Sequence, residues 1–194
     1  MPSDDPLYQA LKSADENDQI GYARYLCELY LKDHANHVPI LIRYACNLIS
    51  LAQYPAAHAA LEHAQSLVSQ QQLHMVLAQR GHLLEAQGNF HAAEEMFMQA
   101  HNLDPEDATY LIYAGSVAFR RGDIDRAQKL AGQATDCSHG CIDEAWFNLG
   151  GYLLSAKRYH DAADCYRRAL EIDPEYEIAR DRLKDVELII HHVR

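Results

Sequence analysis

Residues 143–176 read DEAWFNLGGYLLSAKRYHDAADCYRRALEIDPEY, and compact side chains stand at regular distances within this stretch. Gly150 lies in its first half, and Ala162 and Ala169 lie seven residues apart in its second half. Seven residues are about two turns of an α-helix, so both alanines fall on one helix face and allow another helix to approach closely. The stretch therefore predicts two helices that pack against each other through small side chains.

The same pattern of small residues occurs at three earlier places in the chain, at spacings of 34 to 36 residues. The counterparts of Gly150 are Gly115, Gly81 and Ala45. The counterparts of the alanine pair are Ala127 and Ala134, Ala93 and Ala100, and Ala57 and Ala64. Self-similarity at a fixed period is typical of repeat proteins, in which each copy is one supersecondary unit.

Turn residues separate the two helices of each copy. Gly88 and Gly122 are expected to end a first helix in the left-handed conformation, and Asp123 is expected to cap the helix that follows. Pro55 is expected at the start of a second helix, where its missing N–H is harmless. The same role is expected for two Asp-Pro pairs between helix pairs, Asp104–Pro105 and Asp173–Pro174.

The composition agrees with a helical chain of net negative charge. It contains 28 alanines and 23 leucines against six valines, and alanine and leucine favour helices while β-branched residues favour strands. The 17 Lys and Arg residues against 28 Asp and Glu residues give a formal net charge of −11. Nucleic acid and anionic membranes would be repelled by this charge, so neither is expected as a partner.

The repeated segments resemble the tetratricopeptide repeat, a helix–turn–helix of 34 residues. The residues of segment 143–176 that carry the resemblance are Trp146, Leu149, Gly150, Tyr159, Ala162, Tyr166, Ala169 and Pro174. The resemblance implies an all-α fold, an α-solenoid of antiparallel helix pairs that winds as a right-handed superhelix. We expect one solenoid over residues 1–194, with a degenerate repeat at 4–37, repeats at 38–71, 74–107, 108–142 and 143–176, and a C-terminal capping helix at 177–190.

The resemblance also implies where a partner binds, because the first helices of successive repeats line a concave groove in this family. When the family's groove positions are transferred to this chain by their position within each repeat, they fall on Arg43, Gln79, His82, Ile112, Tyr113, Ser116, Arg120, Phe147 and Asn148. Tyr113 and Phe147 offer rigid apolar area, and the polar members offer hydrogen bonds to a peptide backbone. We therefore predict a protein-interaction module (an adaptor, an assembly factor or a chaperone-like protein) that binds a protein or peptide partner.

One subclass of the family holds the C-terminal carboxylate of chaperones with Lys, Arg and Asn at five places. Counted from segment 74–107, those places hold Ala78, His82, Tyr113, Glu144 and Asn148. Counted from segment 38–71, they hold Ile42, Cys46, Gln79, Thr109 and Tyr113. Asn148 is the only residue of a type that the clamp uses, and it stands in the wrong repeat. A carboxylate clamp is therefore not expected.

The sequence contains no familiar catalytic motif, such as a phosphate-binding loop, a nucleophile elbow or HExxH, so we predict that the protein is not an enzyme and uses no cofactor. The charged pairs Glu94–Glu95 and His160–Asp161 are interpreted as solvent-facing.

Cys137, His139 and Cys141 lie within five residues, but the spacing of a zinc site is incomplete. We favour a plain loop here; the alternatives are a metal site and a disulfide between the two cysteines.

The sequence shows no export signal and no run of about 18 apolar residues that would insert into a membrane. Its five cysteines lack the regular spacing of a disulfide framework, which favours reduced thiols and a cytoplasmic protein.

As an alternative function we consider a self-associating scaffold. In that homo-oligomer the C-terminal helix would contribute Ile189 and Ile190 to the contact between copies.

Overall fold

The structure, a computed structural model, describes residues 6–192, and for Asp15 it describes the backbone alone. The start of the predicted segment 4–37 and the expectations for the first residues of the chain lie outside this range. Eleven α-helices occur in the described residues. They are α1 (Pro6–Glu16), α2 (Ile20–Asp33), α3 (Val38–Ser50), α4 (Tyr54–Leu67), α5 (Leu73–Ala86), α6 (Phe90–Leu103), α7 (Ala108–Arg120), α8 (Ile124–Thr135), α9 (Ile142–Ser155), α10 (Tyr159–Ile172) and α11 (Glu177–His192). None of the helices in this part of the chain is long and apolar enough to cross a membrane.

The N-terminal unit ends at Asn89 and contains α1 to α5. Consecutive helices are in contact, and α3 also contacts α5, so two first helices lie side by side. Short turns between contacting helices make neighbours antiparallel. The buried core of this unit consists of two clusters of mainly alanine and leucine, one around Leu26 and Cys27 and the other around Leu48 and Leu61.

The C-terminal unit begins at Phe90 and contains α6 to α11. Each helix contacts the next, and the first helices α7 and α9 also contact each other. Tyr166 and Val186 are buried in the core cluster at the end of this unit, with Trp146 and Ile190 packed against it. The last helix thus covers the core of its own unit with one apolar stripe and turns its charged residues to solvent.

The small residues of the repeated pattern are buried, as predicted. The four mid-helix positions and the eight alanines of the second helices all fall in the buried class. At Gly150 the close approach is visible in detail, because a Cβ placed there would lie 2.7 Å from Cε1 of Tyr166. A side chain at Gly150 is therefore excluded by the second helix of the same pair.

The turns inside the helix pairs share one backbone geometry. The residue that closes each turn has a φ between 55° and 87°, and the five such residues are Asp18, Ala52, Gly88, Gly122 and Lys157. The following N–H donates to the carbonyl five residues back, as Asp123 does to Ala118 at 3.0 Å. This hydrogen bond satisfies a carbonyl at the helix end. The expectation for the two glycines is confirmed, and three other turns adopt the same geometry with a residue that has a side chain.

Two expectations about helix ends are wrong. Pro105 and Pro174 lie in turns before α7 and α11 rather than at the first helical positions. The cap of α7 is Asp107, whose carboxylate accepts from the N–H of Thr109 at 2.9 Å. At the other end of the chain, α11 runs to His192 instead of ending at residue 190. There the ring of His192 lies 2.8 Å from the carbonyl of Leu188, so it can donate a hydrogen bond to one of the last carbonyls of the helix.

Candidate functional site

The predicted groove residues of the C-terminal unit lie on its first helices, α7 and α9. Tyr113 is half-buried, and its ring centroid lies 5.3 Å from that of Phe97. Phe147 is also half-buried, and its ring lies 5.6 Å from Tyr166 and 5.1 Å from Tyr176. Both aromatic side chains are therefore held in place by neighbouring rings while part of each remains exposed.

The polar neighbours of these rings are Ser116 and Asn148, both half-buried. We use the term first-helix face for Tyr113, Ser116, Phe147 and Asn148. The amide of Asn148 donates a hydrogen bond to the carboxylate of Glu144, one helical turn earlier on α9. The face thus combines fixed aromatic area with hydrogen-bonding groups, the combination that a peptide-binding surface needs.

Glu144 has an unusual environment for a carboxylate. Burial raises its pKa, and the negative charge of Asp143 raises it further. The hydrogen bond from Asn148 acts in the opposite direction. The ionised form of Glu144 is therefore less well stabilised than that of a carboxylate in water.

Ile112 is buried, contrary to the prediction that it is one of the residues that bind a partner. Its side chain is only 3% exposed, so it offers a ligand almost no area. Ile112 precedes Tyr113 on α7, and neighbouring residues on a helix point about 100° apart. That rotation leaves Tyr113 accessible and places Ile112 among the core residues.

Arg120 ends α7 and is exposed. Its guanidinium carbon lies 5.1 Å from the centre of the Phe90 ring, a distance typical of a cation–π contact. The side chain is thus held against α6 at one end of α7.

The other predicted groove residues belong to the N-terminal unit. Arg43 lies on α3, and Gln79 and His82 lie on α5; all three are half-buried. The Nδ1 atom of His82 lies 3.6 Å from a carboxylate oxygen of Glu85 on the same helix. The Oε1 atom of Gln79 is buried, and it accepts no hydrogen bond from the part of the chain that the structure describes. Since α3 contacts α5, these residues come from adjacent first helices.

Sequence reasoning misses two residues beside the first-helix face, Glu144 and Tyr176. In the sequence, Glu144 stands out only as a position where a carboxylate clamp needs a basic residue. Tyr176 stands just before α11, and the sequence predicts no role for it. Its position two residues after Pro174 gives no signal, because the contact with Phe147 joins residues from different helix pairs.

The expectation that Glu94 faces solvent is wrong. Its side chain is only 12% exposed, and it pairs with Arg126 at 2.8 Å and with Arg121 at 3.2 Å. These groups border a cavity of about 410 Å³ on the second-helix side of the unit. The residues lining it are His91, Glu94, Glu95, Met98, Gln99, Asn102, Arg121 and Arg126.

Segment 137–141 forms a loop, and main-chain hydrogen bonds hold it against the turn before α7. The N–H of His139 donates to the carbonyl of Glu106 at 3.2 Å, and the N–H of Ala108 donates to the carbonyl of His139 at 3.0 Å. Cys137 and Cys141 are free thiols, and burial, followed by nearby carboxylates, raises the pKa of both. No group of three or more His, Cys, Asp or Glu side chains within residues 6–192 is arranged to hold a metal ion.

Comparison with known families agrees with this architecture. Two models of the family described as tetratricopeptide repeat match the chain, one over residues 143–176 and the other over residues 78–138. The chain belongs to the tetratricopeptide repeat family. Tetratricopeptide repeats are in general a non-catalytic protein-interaction fold.

Two curated relatives carry the same kind of repeat. Tetratricopeptide repeat protein 7A of Homo sapiens is 32% identical over 100 residues, which are 52% of this chain and 12% of that protein. Small glutamine-rich tetratricopeptide repeat-containing protein 2 of Mycosarcoma maydis is 29% identical over 107 residues, which are 52% of this chain and 30% of that protein. The chain thus matches less than a third of the length of either relative.

Solved tetratricopeptide repeat structures share the fold. A thermophilic protein of Thermus thermophilus superposes with a TM-score of 0.71 at 21% identity, over 94% of this chain and 99% of that one. The first such domain of Spaghetti (RPAP3), bound to the HSP90 peptide SRMEEVD, gives a TM-score of 0.58 at 20% identity. That match covers 64% of this chain and 99% of the domain. The predicted all-α helical-repeat fold is confirmed.

Proposed function

We propose that the protein is an interaction module whose C-terminal unit binds a segment of a partner protein on the first-helix face. The observation that carries this proposal is the setting of Phe147, whose ring packs against those of Tyr166 and Tyr176 while remaining partly exposed. An aromatic ring that is already ordered loses little conformational entropy when it binds a ligand. Such rings are frequent hot spots in protein interfaces.

The polar residues around this ring extend the proposed site. Asn148 and Ser116 provide hydrogen bonds to the backbone of an extended segment, and Tyr113 provides a second apolar contact. Arg120 lies at the end of α7 and can meet an acidic group of the same partner. In the N-terminal unit, Arg43, Gln79 and His82 are proposed to bind in the same manner along α3 and α5.

The complex of the RPAP3 domain with an HSP90 peptide supports peptide binding in general but not the same ligand. The places that would form a carboxylate clamp in this chain hold no Lys or Arg, and one of them holds Glu144. We therefore propose a ligand other than an acidic chaperone tail.

We further propose that the protein acts without catalysis in the cytoplasm, as an adaptor, scaffold or chaperone-like assembly factor. All five cysteines are free thiols, as expected of a protein kept in a reducing compartment. The net charge of −11 supports a protein partner over a nucleic acid.

Self-association is a second candidate, favoured by apolar side chains on α11. Ile178 and Leu188 are 60% and 59% exposed, and covering them would remove apolar area from water. The residues first considered for this contact are less suitable, because Ile189 and Ile190 are half-buried and Ile190 packs against the core. Light scattering over a range of concentrations tests this candidate, and a constant monomer mass excludes it.

Blocking the first-helix face with a matched pair of glycine substitutions tests the main proposal. Gly151 lies on α9, and a Cβ there would have Tyr166 Oη as its nearest neighbour at 3.8 Å, so Gly151→Lys fits. Gly132 lies on the second helix α8, where a Cβ meets nothing within 4 Å. Both variants carry the same change of charge and size at a helical glycine, but only the first places a lysine beside Phe147.

The measurement is binding of the full chain to an array of random 12-residue peptides, followed by calorimetry with the best binders. We expect Gly151→Lys to weaken binding by at least about tenfold, equal to about 1.4 kcal/mol, and Gly132→Lys to bind like the parent. Tyr113→Ala and Phe147→Ala should also weaken binding, with thermal unfolding recorded to identify any loss of fold. Peptides that bind Gly151→Lys and both alanine variants as tightly as the parent would refute the proposed face.

A further inference from the structure

An acidic and aromatic patch overlaps the first-helix face in the C-terminal unit and shares two residues with it. It consists of Glu144, Phe147 and Asn148 on α9 and Tyr176 in the turn before α11. The rings of Phe147 and Tyr176 are 5.1 Å apart and inclined by 38°, and Asn148 donates a hydrogen bond to Glu144. All four residues are half-buried, so each keeps some accessible surface. We call these four residues the acidic-aromatic patch.

The surroundings of this patch carry negative charge. Residues 131–156, which include all of α9, contain no Lys or Arg, and neither do residues 81–119, which include nearly all of α7. Acidic residues are present in both ranges, and Asp143 lies directly beside Glu144. Helix α9 therefore supplies no lysine or arginine to balance Glu144, and the one arginine of α7 is Arg120 at its C-terminal end.

The two arginines of the neighbouring helix α11 have partners other than Glu144. Arg180 donates to the carbonyl of Pro174, and a nitrogen of Arg182 lies 3.7 Å from a carboxylate oxygen of Asp185. The charge that acts most strongly on Glu144 is the like charge of Asp143, and together with burial it raises the pKa of Glu144. A cation brought by a ligand would remove this electrostatic penalty.

We propose that the acidic-aromatic patch binds an arginine side chain in an extended segment of the partner protein. This inference rests on the proposed function of the first-helix face. A guanidinium group forms two parallel hydrogen bonds with a carboxylate, and its flat surface stacks on aromatic rings. Glu144 supplies the carboxylate, and Phe147 and Tyr176 supply the rings.

The same chemistry separates arginine from other ligand groups. Lysine has the charge but neither the planar shape nor the paired donors, so it should bind more weakly. A carboxylate would be repelled by Glu144 and Asp143, in contrast to the acidic peptide held by the RPAP3 domain. The negative net charge of the chain also favours the approach of a basic segment.

The test uses synthetic 12-residue peptides with random flanks and a fixed central arginine, lysine, citrulline or glutamate. Citrulline is the useful comparison because it keeps the shape of arginine without the charge. We expect the full chain to prefer arginine, then lysine, over citrulline. With the best arginine peptide, Glu144→Gln should weaken binding by about tenfold, and with its citrulline analogue by less than about twofold.

The matched control is Glu171→Gln, which removes the same charge from an exposed position on α10, where Glu171 pairs with Arg168. This variant should bind the arginine peptide within about twofold of the parent. Thermal unfolding of both variants establishes that they fold.

The outcomes separate this inference from the proposed function. If peptides bind on the first-helix face but without preference for arginine, or if Glu144→Gln and Glu171→Gln have equal effects, the inference is wrong and the proposed function stands. If no peptide of any kind binds, the proposed function itself fails.

Discussion

Gly150 and Gly115 occupy the same place in successive repeats, and substitution of each by alanine should have opposite effects on stability. A Cβ on Gly150 would lie 2.7 Å from Cε1 and 3.0 Å from Cδ1 of Tyr166. A Cβ on Gly115 would have its nearest neighbour, the carbonyl oxygen of Ala127, at 3.5 Å, an ordinary contact distance. The alanine fits at one position and overlaps a buried ring at the other.

The magnitudes follow from two effects. Replacing a helical glycine by alanine favours the helix by up to about 1 kcal/mol. Overpacking of a filled core costs about 1–3 kcal/mol. Tyr166 is 1% exposed and its ring packs against Phe147, so it has little room to move. We expect Gly115→Ala to raise the free energy of unfolding by about 0.5–1 kcal/mol and Gly150→Ala to lower it by up to about 2 kcal/mol.

The assay is denaturation in urea followed by the fluorescence of Trp146. This residue is the single tryptophan of the chain, lies on the same helix as Gly150 and packs against the core that contains Tyr166. Circular dichroism of the same samples reports the helices as a whole. Because repeat proteins can unfold in more than one step, the comparison uses the midpoint and slope of the Trp146 transition.

A double substitution isolates the contact with the ring. In a Tyr166→Leu background the overlap is gone, so Gly150→Ala should be neutral or stabilising there. The coupling between the two positions should then equal the cost of overpacking, about 1–3 kcal/mol. The reasoning would be refuted if Gly150→Ala were as stable as Gly115→Ala, or if its effect were the same in both backgrounds.

Two other predictions concern a turn and a buried phenol. Lys157 has a φ of 60°, a left-handed conformation that costs a residue with a side chain about 1–2 kcal/mol. Glycine would remove this strain, but its greater conformational freedom in the unfolded chain offsets part of the gain. Lys157→Gly should therefore raise the free energy of unfolding in urea by about 0.5–1 kcal/mol; a decrease would contradict this account of the turn. Burial, followed by the charge of Glu144, raises the pKa of Tyr152 from 10.0 to about 12. Its contribution to stability is therefore complete below about pH 10 and is lost as the pH rises from 10 towards 12. Between pH 10 and 12 the free energy of unfolding should fall by about 2–3 kcal/mol less in Tyr152→Phe than in the parent protein. If the two proteins lose the same stability over this range, Tyr152 does not titrate in this way.

The helices and their turns could be predicted from the sequence because short-range spacing determines them. The alanines seven residues apart and the glycines at the turns are local signals, and the structure confirms both. Asp18 and Lys157 adopt the same turn geometry without a glycine, because the contacting helices on either side hold the backbone in that conformation. Local sequence does not reveal such positions.

The candidate site could be predicted only in outline. The position of a residue within the repeat correctly predicted that Phe147 and Asn148 lie on a first helix. It did not distinguish Ile112 from Tyr113, although only Tyr113 is accessible. The ion pairs of Glu94 involve residues about 30 positions away and gave no sequence signal.

The sequence by itself determined that the chain forms paired helices, where the turns lie and which side chains at the helix contacts must be small, because these properties depend on periodicity along one or two helices. Only the tertiary structure decided which glycine touches a ring, which groove residues remain accessible and which carboxylate lies beside two aromatic rings. Those properties depend on atoms brought together from different helices, at distances that no repeat spacing specifies.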